Sequence, residues 1–115
     1  MRAGIDISEA GANLPMLMPL TPEQQFQKAT LFLDRGDLVR GESILRDVIA
    51  AADAARDEVL GIRSRCCLGE LLVELNRPDE AKPLLEIVAR HTPTPHLDDV
   101  LDLEQQTARN LLTQL

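Results

Sequence analysis

The sequence predicts an all-α fold of about five helices, and three observations carry that prediction. The 115-residue chain has no Trp or Tyr and only two Phe, Phe26 and Phe32, so its core is built from Leu, Ile, Val and Ala, a mix that favours helix on helix over a sheet. Apolar residues recur at spacings of three and four, the period of an amphipathic helix. Helix-start signals and turn signals alternate along the chain. At this length, with 44% hydrophobic content, one domain with one core is expected.

Residues 1 to 20 carry Gly4, Gly11, Pro15 and Pro19 without a sustained period, and read as an irregular leader whose apolar end, Met16 to Leu20, offers a segment that can dock. Thr21 followed by Pro22, Glu23 and Gln24 is a strong helix start: a hydroxyl cap, proline at the first helical position, and Gln three residues after the cap. The first helix is predicted over 22–35. Gly36 and Asp37 supply a turn, glycine being the residue that most easily takes a positive φ after a helix. In the second helix Leu38, Ile44, Leu45, Val48, Ile49 and Ala52 form one stripe, and it ends near Ala55.

The third helix, predicted over 56–75, is apolar over a wide arc, as a central helix contacted on two sides should be. Asn76-Arg77-Pro78 ends it. Asp79 and Glu80 place acidic charge at the positive start of a fourth helix over 79–91. An interior proline costs about 3 kcal/mol, so a start at Asp79 is preferred, because Pro83 then falls where no intrahelical donor is lost. His91 to His96 form a rigid connector. A fifth helix over 97–114 is predicted with Leu97, Val100, Leu101, Ala108, Leu111, Leu112 and Leu115 inward, and Glu104, Gln105, Arg109, Asn110 and Gln114 outward.

Sliding the chain against itself by 40 residues pairs Gly36 with Asn76, Ala29 with Gly69, Gly41 with Ala81, Phe32 with Leu72, Leu45 with Leu85 and Val48 with Val88. The small residues fall where two antiparallel helices cross closely. This helix-turn-helix pattern, clearest over residues 68–93, resembles a tetratricopeptide repeat. The resemblance implies antiparallel hairpins stacked as a short right-handed solenoid, with units at about 22–55 and 62–93 and a capping helix at 97–114. Two departures stand out. The family's usual period is about 34, so about six residues around Arg56 to Gly61 are extra, as longer helices or as a slack connector. The large aromatic residue common near the start of the first helix is replaced by Gln25 and Arg65. A plain four- or five-helix bundle is the alternative packing.

A net charge of −7 repels phosphate backbones and anionic headgroups, which argues against nucleic-acid and membrane-surface roles. No apolar run approaches the roughly 18 residues of a membrane span. Met16-Leu17-Met18, broken by Pro15 and Pro19, does not read as a signal peptide. With only two cysteines, adjacent in sequence, a reduced cytoplasmic setting is expected. Cys66 and Cys67 point about 100° apart on a helix, so they cannot share a metal and read as small core residues. His91 and His96 lack a third ligand for zinc and read as exposed linker residues. No phosphate loop or nucleophile motif occurs, and Asp79-Glu80 and Asp98-Asp99 read as helix-start charges. Neither an enzyme nor a cofactor or metal is expected.

In the family this chain resembles, the first helix of each unit lines a concave surface that receives a peptide or helix of another protein. Carried over residue by residue, that groove would be lined by Glu23, Phe26, Thr30, Leu33 and Asp34, then Arg63, Cys66, Glu70, Val73 and Glu74, with Leu97, Val100 and Glu104 from the closing helix. An apolar floor with carboxylate walls suits a partner with one apolar face and Lys or Arg beside it; a merely solvated acidic face is the competing reading. The implied function is a non-enzymatic scaffold, adaptor or small chaperone. An acidic, immunity-type inhibitor of a basic protein and a self-associating helical bundle, such as a homodimer, are the alternatives. Met16, Leu17 and Met18 are candidates to occupy the groove in the free protein.

Overall fold

The computed structural model describes residues 19 to 115; the predicted leader, with Met16, Leu17 and Met18, lies outside them up to residue 18. Five α-helices follow in order: α1 Pro22–Asp34, α2 Leu38–Ala55, α3 Glu58–Glu74, α4 Pro78–Arg90 and α5 Asp102–Leu112. Two short 3-10 turns, Pro95–Leu97 and Asp99–Leu101, precede α5, and no strand occurs among the described residues. Each α-helix packs on the next, and α5 also packs back on α3.

The predicted start of α1 forms as a reciprocal cap. Gln24 N–H donates to Thr21 Oγ1 at 3.1 Å, and Thr21 N–H donates to Gln24 Oε1 at 3.0 Å. The turns between helices repeat one geometry. Gly36, Arg56 and Asn76 are the residues with positive φ among those described, at 84°, 56° and 60°, so the left-handed position recurs every 20 residues. The residue after each donates its N–H five residues back, Asp37 to Phe32 O at 2.9 Å, Asp57 to Ala52 O at 2.8 Å and Arg77 to Leu72 O at 2.8 Å. This is the Schellman closure of a helix end. Four residues further on stand Gly41, Gly61 and Ala81, all buried.

The 40-residue self-match is therefore two steps of one 20-residue helix-and-turn unit. The residues around Arg56 to Gly61 are not slack: α2 runs for 18 residues and α3 for 17. The predicted start of α3 at residue 56 is corrected to Glu58, because Arg56 is left-handed and Asp57 caps the helix by accepting from Leu60 N–H at 3.1 Å. A residue with a β-carbon loses about 1–2 kcal/mol in this conformation. Arg56→Gly is expected to raise stability by up to about 1 kcal/mol, read as a higher urea midpoint. A lower midpoint would show that the arginine side chain holds the turn.

The start of α4 is also corrected. Ala81 N–H donates to Arg77 O at 3.1 Å, so Pro78 is the first helical residue and Pro83 lies inside the helix. The carbonyl of Asp79 thereby loses its helical partner, at an exposed position where water can replace it. What holds this start is ionic. Arg77 reaches Glu42 Oε1 and Glu80 Oε2, each at 2.8 Å, and Arg46 reaches Glu42 at 2.9 Å and Glu80 at 3.3 Å. The network ties the N-terminal ends of α2 and α4 together. The Arg77 guanidinium, with Arg46, holds the Glu42 carboxyl below its ordinary range.

Leu45, Leu68, Leu72, Leu85, Leu101, Val48 and Val88 are fully buried and form the core. The crossings are as close as the small residues require. A Cβ on Gly69 would lie 2.6 Å from Leu85 Cδ2, and one on Gly41 would collide with Leu33 Cδ2. The side chain that closes on Gly69 is Leu85 of α4.

The single fifth helix predicted over 97–114 is broken into two 3-10 turns and α5, with the break at Leu101. Leu101 is fully buried there, while Val100 and Leu115, expected inward, are 40% and 44% exposed. Gln105, expected outward, is buried at 6% exposure. Its Nε2 donates to His91 O at 2.6 Å and to Val88 O at 3.2 Å. A polar side chain points inward here because it caps the end of α4, whose last carbonyls have no helical partner.

Candidate functional site

The stripe of α3 formed by Arg63, Cys67, Glu70 and Glu74 is its most open side, at helical spacings of four, three and four. Two adjoining cavities lie along this stripe. One, of about 360 Å³, is lined by Phe26 of α1, Arg63, Cys66, Cys67 and Glu70 of α3, and Glu104 of α5. The other, of about 260 Å³, is lined by Leu33, Asp34, Leu38, Cys67, Glu70, Leu71 and Glu74. Glu70 and Cys67 belong to both.

Eight of the predicted groove residues meet in this way: Phe26, Leu33, Asp34, Arg63, Cys66, Glu70, Glu74 and Glu104. The others do not line either cavity. Thr30 is half-buried and its hydroxyl donates to Gln27 O at 2.7 Å, and Glu23 is exposed. Val73 sits at the far end of α3, against Asn76, Pro78, Gln114 and Leu115. Leu97 and Val100 belong to the 3-10 turns and line neither cavity. Extrapolating a continuous helix back from Glu104 misplaced both. Cys67, Leu38 and Leu71 were missed; the spacing from Arg63 to Glu70 contained the signal for Cys67, since position 67 lies one turn beyond Arg63.

The electrostatics of the first cavity are one-sided. Arg63 Nε donates to Glu104 Oε2 at 3.2 Å, and among the described residues Arg63 is the only cation on the lining. Glu104 Oε1 is buried and has no hydrogen-bond partner among the described residues. Cys66 Sγ lies 3.7 Å from the Glu104 carbonyl and 4.0 Å from Glu70 Oε1. Burial, then the carboxylates of Glu70 and Glu104, push the Cys66 thiol up to about 12. Burial, with Glu70 and Glu74, pushes Cys67 up to about 11. The same burial, with Glu74 and Glu104, raises the Glu70 carboxyl above its ordinary value. Both thiols are protonated at neutral pH and inert as nucleophiles.

A larger cavity of about 570 Å³ opens elsewhere, lined by the C-terminal ends of α2 and α4 and the N-terminal half of α3. Its lining carries two internal contacts. Arg65 pairs with Asp53, and Glu58 clasps the α4–α5 connector. Thr94 Oγ1 donates to Glu58 Oε1 at 2.6 Å, Thr94 N–H to Oε2 at 2.9 Å, and His91 Nε2 lies 2.7 Å from Oε2. His91 is thus a half-buried structural contact rather than an exposed linker residue. His96 is exposed.

The Thr94 hydroxyl, then His91 and the Thr94 N–H, lower the Glu58 carboxyl from 4.5 to about 2. A carboxyl lowered on folding contributes stability above its unfolded value and loses it as pH falls through the folded one. Wild type is therefore expected to exceed Glu58→Gln in stability above pH 4.5, with the gap closing toward pH 2, in urea midpoints measured across that window. A gap that does not change with pH would show that Glu58 acts by shape alone.

Among the described residues no three His, Cys, Asp or Glu side chains come together in a way that could hold a metal ion, and no helix is long and apolar enough to cross a membrane. No family model, curated protein or solved structure matches the chain.

Proposed function

We propose that the chain is a non-enzymatic protein-binding module, built as a short tetratricopeptide-like stack, that receives a segment of another protein in the groove between α1, α3 and α5. The observation that carries this reading is the pair of cavities sharing Glu70, with apolar side chains of Phe26, Leu33 and Leu71 at their base. The 20-residue recurrence of left-handed turn, cap and small residue supports the stacked arrangement. Concave sites that combine apolar floor with a few polar groups are where ligands bind. A cytoplasmic setting belongs to the proposal, since two adjacent free thiols persist in a reducing compartment.

The test is recovery of bound protein from native-host cells expressing the tagged full chain, in parallel with Glu70→Lys and with Ile87→Asp. Ile87 is exposed and lines the larger cavity rather than the groove. A stoichiometric partner kept by wild type and Ile87→Asp but lost by Glu70→Lys supports the groove. A partner lost only by Ile87→Asp moves the function to the α2–α4 cleft.

A further inference from the structure

Resting on the groove reading above, we infer that the bound segment carries a lysine or arginine flanked by apolar side chains, its cationic head group lying between Glu70 and Glu104. The two cavities take the apolar side chains on either side of the cation.

Charge and solvation lead to this occupant. Arg63 pairs with one oxygen of Glu104, and the other oxygen is buried without a donor among the described residues. An unpaired buried acceptor loses about 1–3 kcal/mol relative to a bonded one, a deficit that a cation from outside would remove. Glu70, Cys66 and Cys67 each favour the proton-bearing form more than the free side chain does. Burial is the first cause for all three and neighbouring carboxylates the second, so the site is partly desolvated and acidic. Glu70 stands where the cavities meet, so a single head group there has apolar space on both sides. From Arg63 to Glu74 the stripe is about 16 Å long at 1.5 Å per residue. That accommodates about five residues of an extended chain.

An acidic segment is excluded by the same field, and a purely apolar one leaves Glu104 Oε1 unbonded. The α2–α4 cleft does not compete for this occupant, because its carboxylates Asp53, Asp57 and Glu58 are already bonded to Arg65, to Leu60 N–H, and to Thr94 with His91, and Arg56 and Arg65 share its lining.

Three fluorescein-labelled synthetic octapeptides test the inference against the full-length protein by anisotropy, at low and high salt: alternating leucine and lysine, alternating leucine and glutamine, and alternating serine and lysine. The leucine–lysine peptide is expected to bind at least about tenfold more tightly than either other peptide. Glu70→Gln and Glu104→Gln are each expected to weaken it about tenfold, and Glu86→Gln, outside both cavities, to leave it unchanged. Melting curves confirm that each variant is folded. Equal binding of the leucine–glutamine peptide, still abolished by Glu70→Lys, would overturn the cation while keeping the groove. Serine–lysine binding equal to leucine–lysine would reduce the effect to net charge and overturn the inference. Leucine–lysine binding unaffected by every groove variant, or no binding of any peptide, would overturn it together with the groove reading.

Discussion

Gly69→Leu is expected to destabilise the protein by about 3 kcal/mol or more, the upper part of the range for overpacking a filled core. At about 4–8 °C per kcal/mol for a domain of this size, the melting temperature falls by about 12 °C or more. The reason is geometric. Leu85 Cδ2 already lies 2.6 Å from where the first added carbon would go, with Leu85 Cγ at 2.9 Å, and Leu85 is fully buried among the core leucines. Gly69→Ala is predicted to differ sharply. Leu85 Cδ2 and Cγ must both shift for the alanine methyl, but alanine gains about 1 kcal/mol of helix propensity over glycine, so the net loss is much smaller than for leucine. Combining Gly69→Leu with Leu85→Ala should recover part of the loss, because the new side chain enters the volume just vacated. Additive losses in the double variant would mean that the strain lies elsewhere.

Gln105→Leu is expected to cost about 2–3 kcal/mol, measured by urea unfolding, although it keeps the size of the side chain. It removes both hydrogen bonds to the last turn of α4, leaving Val88 O and His91 O without the donor they now share. The effect should be local as well as global. Amide protection is expected to fall first in α5 and the connector, while α2 keeps its protection. The groove should suffer with α5, since Glu104 is the neighbouring residue and one of its walls. Unchanged protection in α5 would show that Leu101 and Ala108, both fully buried, dock this helix without the cap.

Much of the lining of the two α3 cavities was named from the sequence. Phe26, Leu33, Arg63, Cys66, Glu70 and Glu74 were carried over through the resemblance, and they come together because α1 and α3 are regular helices. The segment from Thr92 to Leu101 was harder to place. Its two 3-10 turns leave Val100 exposed and turn Leu101 into the core, which no periodic pattern records. Val73 differs for another reason: it follows the period of the stripe, but it lines a separate cavity with Gln114 and Leu115, from a part of the chain distant in sequence. The Glu58 clasp was invisible for the same reason, since Glu58 and Thr94 meet across 36 residues.

The sequence by itself determined the all-α class, the cap at Thr21, the turn at Gly36 and the small residues at the crossings, because each depends on contacts within a few residues or on size at one position. Tertiary structure alone decided which polar residues face inward. Gln105 is buried because α4 ends beside it and it bonds the Val88 and His91 carbonyls there, and Glu104 keeps one oxygen without a partner among the described residues because Arg63, held on α3, reaches only the other. Burial of a polar group is decided by the partner it meets, and partners from separate helices meet only when the chain has packed.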